Sequence, residues 1–253
     1  MKSLRYIVVA LLVLVATDAW AWNAEVSRAI LMFAEENLSS KAKREVVDLL
    51  GASLSSVDKA EVESMSRLDE KGKSVTTDDK DAVVRLEKAV ATLGDRGASN
   101  EVRGAALREA ARLTIAIHCP ANILIDNHLE EDFAIQHHNS MQVGFRYYTV
   151  KKASWQSRWR KEYHQSHGAF SAEMYLYDWR IATQGKAKAY KREAVEPRKW
   201  VEKTGERVFA ALKVFKPNTI GESVEMSKME ELNNASMHDA AFHLANLLNK
   251  TLK

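Results

Sequence analysis

Apolar positions recur with helical spacing along most of the chain. Val26, Ile30 and Phe33 fall on one helix face. Ser40 to Leu50 predicts a second helix, closed by Gly51. A third is expected from Thr77, carrying Val83, Leu86, Val90 and Leu93 and ending near Gly94. Asn100 caps a fourth, with Leu107, Ala111, Leu113 and Ile117 ahead of Pro120. Trp155, Trp159 and Tyr163 share the face of a further helix. Pro197 opens another at its favoured first turn, followed by Trp200, Val208, Leu212 and Phe215. The last helix is expected from about Met237 to Leu252. Only Met141 to Val150 reads as strand, with Val143, Phe145 and Tyr147 alternating against polar neighbours. The highly charged stretch from Leu54 to Lys80 reads as a surface excursion. No repeat and no Pro-, Gly- or Ser-rich linker divides the chain. The expected fold is therefore all-α: one mostly helical domain over residues 22–253, with a short β-hairpin or strand pair near 141–150.

The beginning of the chain changes this picture. Lys2 and Arg5 precede a leucine- and valine-rich core, and Ala19-Trp20-Ala21 is a small-x-small cleavage pattern. Residues 1–21 are thus expected to be a signal peptide, leaving Trp22 as the mature N-terminus of a periplasmic or secreted protein. Its apolar run is too short to span a membrane. Lys and Arg number 37 against 34 Asp and Glu, and cleavage leaves about +2. That balance does not by itself point to nucleic acid. Cys119 is the single cysteine, which excludes an intramolecular disulfide and fits a bacterial periplasm better than a eukaryotic secretory route.

Candidate chemistry concentrates in HCPANILIDNH, His118 to His128. His118 and Asn122 are four apart, as are Gln156 and Arg160, the spacing that places two side chains on one helix face. A divalent metal needs such convergence of imidazole nitrogen and carboxylate oxygen, but asparagine offers a neutral oxygen and arginine repels a cation. The competing reading makes His118 a satisfied core histidine at the end of an apolar helix. Pro120 lies between His118 and Asn122; it lacks an N–H and disfavours helical geometry at Cys119, so the two side chains need not converge.

Other clusters have two readings each. His137 and His138, after Asp132, form a metal or phosphate site or a solvated loop. His164 and His167 have metal-compatible spacing, and His238 and His243 read as packing or surface residues of the last helix. Arg158, Arg160 and Lys161, interleaved with the aromatic stripe at 155–163, make either a base-stacking and phosphate-binding surface or an ordinary core stripe with solvated neighbours. Lys186, Lys188, Lys191 and Arg192 read as a solvated face. Gly-rich phosphate loops, nucleophile elbows and redox cysteine pairs are missing from the sequence.

These fragments, in order, resemble the zinc-dependent single-strand-specific nucleases, the S-one/P-one family, whose relatives include zinc phospholipases C. The stretch WNAEVSRAILMFAEENLSSKAKREVVDLLG resembles the family opening, and Trp22 matches its N-terminal tryptophan, whose amine and carbonyl bind zinc. His118, Asn122 and His128 have the spacing of the family's H-x-x-x-D and following histidine. Asp132 and the HHN at 137–139 resemble its next element imperfectly. SWQSRWR keeps Ser157 and Trp159 of a later motif, and HDAAFHLANLLN resembles the closing helix.

The departures bear on function. Ser27 stands at the family's first histidine, Asn122 at its bridging aspartate, and Gln156 and Arg160 at its late histidine and aspartate. Trp22, His118 and His128 remain, each matching a ligand of a different zinc ion. Zinc needs three or four strong ligands. The resemblance therefore implies a nuclease-like fold without its metal site: no cofactor, no zinc-activated water, and a non-catalytic binding or accessory protein. Its partner is open among nucleotide, single-stranded nucleic acid, phospholipid headgroup and protein. Arg160 is expected to refill vacated space and pair with Asp126, Glu131 or Asp132. The alternative is an active metal-dependent phosphodiester hydrolase with a rebuilt zinc site, in which His118 and His128 recruit Asp132, His137, His138, His164 or His167. Six of the eight histidines lie between residues 118 and 167, which motivates it. A third possibility is a purely structural role, with the Trp/Arg helix forming an oligomer contact.

Overall fold

A computed structural model describes residues 22–58, 66–75, 79–125, 133–138, 148–153, 170–213 and 223–252. They are mostly helical. Helix α1 spans Ala24–Glu36 and α2 Ser40–Leu50. Their starts are set locally, because Asn23 and Ser39 side chains accept the backbone N–H of Val26 and Ala42. Gly51 ends α2 in the left-handed region at φ 69°, which a Cβ would oppose.

Helix α3, Ala82–Gly94, begins later than Thr77: Asp81 is the cap, its carboxylate accepting from Val83 and Val84, and 76–78 lie outside the described residues. Helix α4, Asn100–Ile117, is capped by Ser99, with Asn100 as its first helical residue. Helices α5 (Ala172–Ala182) and α6 (Ala187–Tyr190) lie in a region where the apolar spacing predicted no helix. Helix α7 is Pro197–Leu212, opened by proline as expected. Helix α8, Ser223–Thr251, starts well before Met237, because its polar first half is rich in the good helix formers Met, Lys and Glu.

The strands number more than the single one read from alternation. β1 (Ser66–Leu68) pairs antiparallel with β2 (Ser74–Val75) and parallel with β3 (Ile123–Ile125). The stretch 54–80 is therefore not all surface: Leu54, Val57 and Leu68 are buried. β4 (Phe133–His138) pairs antiparallel with β5 (Tyr148–Ala153), a strand pair near the expected place; of the residues read as strand, 148–150 lie in β5 and 141–147, with Val143, Phe145 and Tyr147, lie outside the described residues.

Helix α8 is the spine. It packs on α1, α4, α6 and α7, and residues 241–248 are buried without interruption. A helix buried on all sides normally carries apolar residues all round. Here the apolar positions Met237, Ala240, Ala241, Leu244, Leu247 and Leu248 share the interior with polar ones. Among the described residues, no helix is long and apolar enough to cross a membrane.

Candidate functional site

The polar residues of α8 form one seam. Asn233, Ser236, Asp239, His243 and Asn246 recur every three or four residues, and all are buried. Burying polar groups is costly unless each finds a partner. The partners come from the end of α4, from α6 and the turn after it, and from α7.

Proline sets the first of them. α4 stops at Ile117, His118 is its C-cap, Cys119 is extended, and Pro120–Asn122 is a separate 3-10 turn. His118 and Asn122 consequently share no helix face. Asn122 donates its amide to the Ala116 carbonyl at 3.2 Å. His118 points into the core, 1% exposed. Its Nδ1 meets the Thr114 carbonyl at 2.6 Å, and its Nε2 meets His243 Nδ1 at 2.7 Å. The other edge of His243 lies 3.0 Å from Glu193 Oε2. Trp200 of α7 stacks flat on the His243 ring, centroids 4.5 Å apart and planes 7° apart.

Proton counting constrains this chain. The three links, Thr114 to His118 to His243 to Glu193, each need one proton between the paired atoms. Two neutral imidazoles supply two. A carbonyl only accepts, so His118 carries its proton on Nδ1 and accepts at Nε2 from His243. The third link then closes only when His243 and Glu193 share an additional proton. Burial pushes both imidazoles toward the neutral form: His118 down to about 3, reinforced by His243, and His243 down to about 4, with Asp239 opposing and Lys203 and Arg207 reinforcing.

One turn earlier, Asp239 is gripped from α6 and α7. Tyr190 donates its hydroxyl to it, Arg207 pairs with it, and Lys203 Nζ lies 3.1 Å away. Burial alone would raise this carboxyl. Arg207, the Tyr190 hydroxyl and Lys203 together hold it well below the usual carboxylate range. Burial and the Asp239 charge push the Tyr190 hydroxyl up. Arg207 also donates to Ser236, while Asn246, at 2.9 Å, and Lys250 donate to the Glu193 carbonyl. The segment 190–193 is thus tied to α8 along about three turns.

This arrangement orients helices; it exposes no reactive atom. In a hydrolytic dyad the imidazole must reach substrate while a buried carboxylate orients it. Here the order is reversed: the His243 side chain is 1% exposed and that of Glu193 42%.

The other site positions fall as follows. Trp22 is buried, and its indole N–H finds no hydrogen-bond partner among the described residues. Ser27 is buried on α1. His137 and His138 lie in β4 rather than in a loop, in backbone register with Thr149 and Tyr148. His128, Asp132, Gln156 and Arg160 lie outside the described residues, as do His164, His167, the Trp155–Tyr163 stripe, and Asp126 and Glu131. The basic run at Lys186, Lys188, Lys191 and Arg192 is exposed.

The residues described do not fit zinc. Both ring nitrogens of His118 are occupied, the Asn122 amide donates to the Ala116 carbonyl of α4, and among the described residues no three His, Cys, Asp or Glu side chains group as metal ligands. Compared with known proteins, the chain matches no family model and no curated protein.

The sequence alone did not single out Asp239, and it read His243 as a packing or surface residue without its partners; the structure buries His243. The signal was present: polar residues at 233, 236, 239, 243 and 246 repeat at helical spacing along the last helix. A polar stripe on a buried helix calls for partners, and those lie far off in sequence.

Proposed function

We propose that this chain is an exported, non-catalytic protein on a nuclease-like helical scaffold, acting as a binding or accessory protein. The observation that carries the reading is the state of His118. A metal ligand must present a lone pair to the ion, and His118 has none to spare: one nitrogen is bonded to the Thr114 carbonyl and the other to His243. Ligation would require dismantling a buried pair. The substitutions Ser27, Asn122, Gln156 and Arg160 point the same way within the resemblance. Export rests on the pattern of residues 1–21.

The test is metal content and turnover. Purified from the periplasm, the protein is expected to begin at Trp22 by mass spectrometry. After dialysis it should retain zinc far below one equivalent, and with added zinc it should leave single-stranded DNA and RNA intact. Stoichiometric zinc together with cleavage would favour the rebuilt hydrolase, with ligands from His128, Asp132, His137 and His138.

A further inference from the structure

A second cluster of charges lies at the N-terminal end of α4, away from His118 at its C-terminal end. The charged face of α2 presents Lys41, Arg44, Glu45 and Asp48, at the i, i+3, i+4, i+7 positions of one stripe. Facing it are Arg96, from the turn before α4, and Arg103, from α4 itself. Together they line a cleft of about 350 Å³, within the size range of small-molecule sites. Its shape is built into the backbone. At Gly104 a Cβ would sit 2.5 Å from the Leu49 carbonyl oxygen, so only glycine lets the end of α2 close onto α4 and form the apex of the wedge.

The cleft has more positive charge than it uses. Glu45 is held by both arginines: Arg96 engages both its oxygens, and Arg103 pairs with one while its Nε donates to the Leu93 carbonyl at 2.9 Å. Burial would raise the Glu45 carboxyl, but hydrogen bonds from Arg96 and Arg103 bring it below its usual value, so it stays ionised. One carboxylate thus offsets one of two guanidiniums. Lys41, Arg44 and Asp48 form no ion pair among the described residues. The lining totals four cations against two carboxylates. An excess of two positive charges in a preformed recess, mostly guanidinium, matches a phosphate dianion in charge and fork geometry.

We propose that the α2–α4 cleft is a binding site for a phosphate group carried on a small molecule or a lipid headgroup, with Arg44 and Lys41 as the free cations that take it and the Arg96–Glu45–Arg103 clamp as the wall that holds the recess open. The site shares no residue with the His118 seam, so it goes beyond the functional reading above and stands apart from the metal question.

The experiment is calorimetric titration of the metal-free full-length mature protein with inorganic pyrophosphate, adenosine monophosphate, and phosphatidylcholine vesicles containing phosphatidate. Saturable binding of at least one probe is expected. Arg44→Glu should weaken it roughly tenfold or more, and Asp48→Asn should tighten it. Both positions are exposed, so circular dichroism should be unchanged. Response to the soluble probes assigns the phosphate group of a small molecule; response to vesicles alone assigns a lipid headgroup. No saturable binding of any probe, or binding that Arg44→Glu leaves unchanged, overturns the proposal. Zinc-dependent cleavage would overturn the non-catalytic reading and leave this one standing.

Discussion

Two carboxylates in this molecule are each gripped by two cations, and they behave differently because of what surrounds them. Asp239 lies between Arg207 and Lys203 with its side chain 3% exposed, inside a helix buried on every side. Glu45 lies between Arg96 and Arg103 at 14% exposure, in a cleft whose further cations, Lys41 and Arg44, form no ion pair among the described residues. The local device is the same. In the interior, the Asp239 carboxylate is spent on Arg207, Lys203 and the Tyr190 hydroxyl of neighbouring helices. At the surface, water covers part of the cost, and the surplus charge stays available. A gripped carboxylate therefore does not by itself mark a functional site; the charge left over beside it does.

The comparison can be broken by mutation. Asp239→Asn strands Arg207 and Lys203 around a neutral amide and should cost about 3–5 kcal/mol in urea unfolding. Glu45→Gln should cost less, about 1–3 kcal/mol, because water reaches Arg96, and the buried Arg103 keeps its bond to the Leu93 carbonyl. Equal losses would mean that burial does not distinguish the two clamps. His118→Phe keeps the ring volume but orphans the Thr114 carbonyl and His243 Nδ1, and should lose about 1–3 kcal/mol by the same measurement.

The pH dependence sharpens the contrast. His118 is lowered to about 3, and His238 and His243 to about 4, burial being the first cause for each. Between those values and the ordinary histidine range the unfolded chain binds more protons than the folded one, so stability falls as pH falls from about 6.5 toward 4. Asp239, whose carboxyl is depressed, loses its contribution in still more acid solution, in the same direction. The melting temperature should therefore drop between pH 7 and pH 4.5, and His243→Gln should flatten that drop while Glu45→Gln should not. A melting temperature that rises on acidification would mean that the proton shared by His243 and Glu193 outweighs burial. The smallest effect is expected for Arg44→Glu: within about 0.5 kcal/mol of the parent in stability, as for an exposed residue with no ion pair among the described residues, and visible only in anion affinity.

Much of the fold was legible because its signals are local. α2 runs over Ser40–Leu50 as read, since its cap and its terminating glycine lie at its own ends. Pro197 opens α7, and Pro120 separates His118 from Asn122, because ring closure and the missing N–H act on adjacent residues. Where the reading slipped, a stronger neighbour competed. Asp81 took the cap expected further upstream, and the polar first half of α8 hid a helix whose propensity is good but whose apolar face is thin. The aromatic-rich α5 was passed over although Ser171 caps it.

The sequence by itself determined the helical class, both ends of α2, the start of α7 and the break at Pro120. Each follows from dihedral preferences and spacings that reach no further than a few residues. Only the tertiary structure decided what His118 is for. Its partner His243 is 125 residues away, and Arg207 and Glu193 arrive from two further segments. Which polar groups are spent on each other, and which are left over, depends on how the helices pack around α8. No periodicity within a single helix encodes that packing, because burial and pairing are properties of the assembled interior.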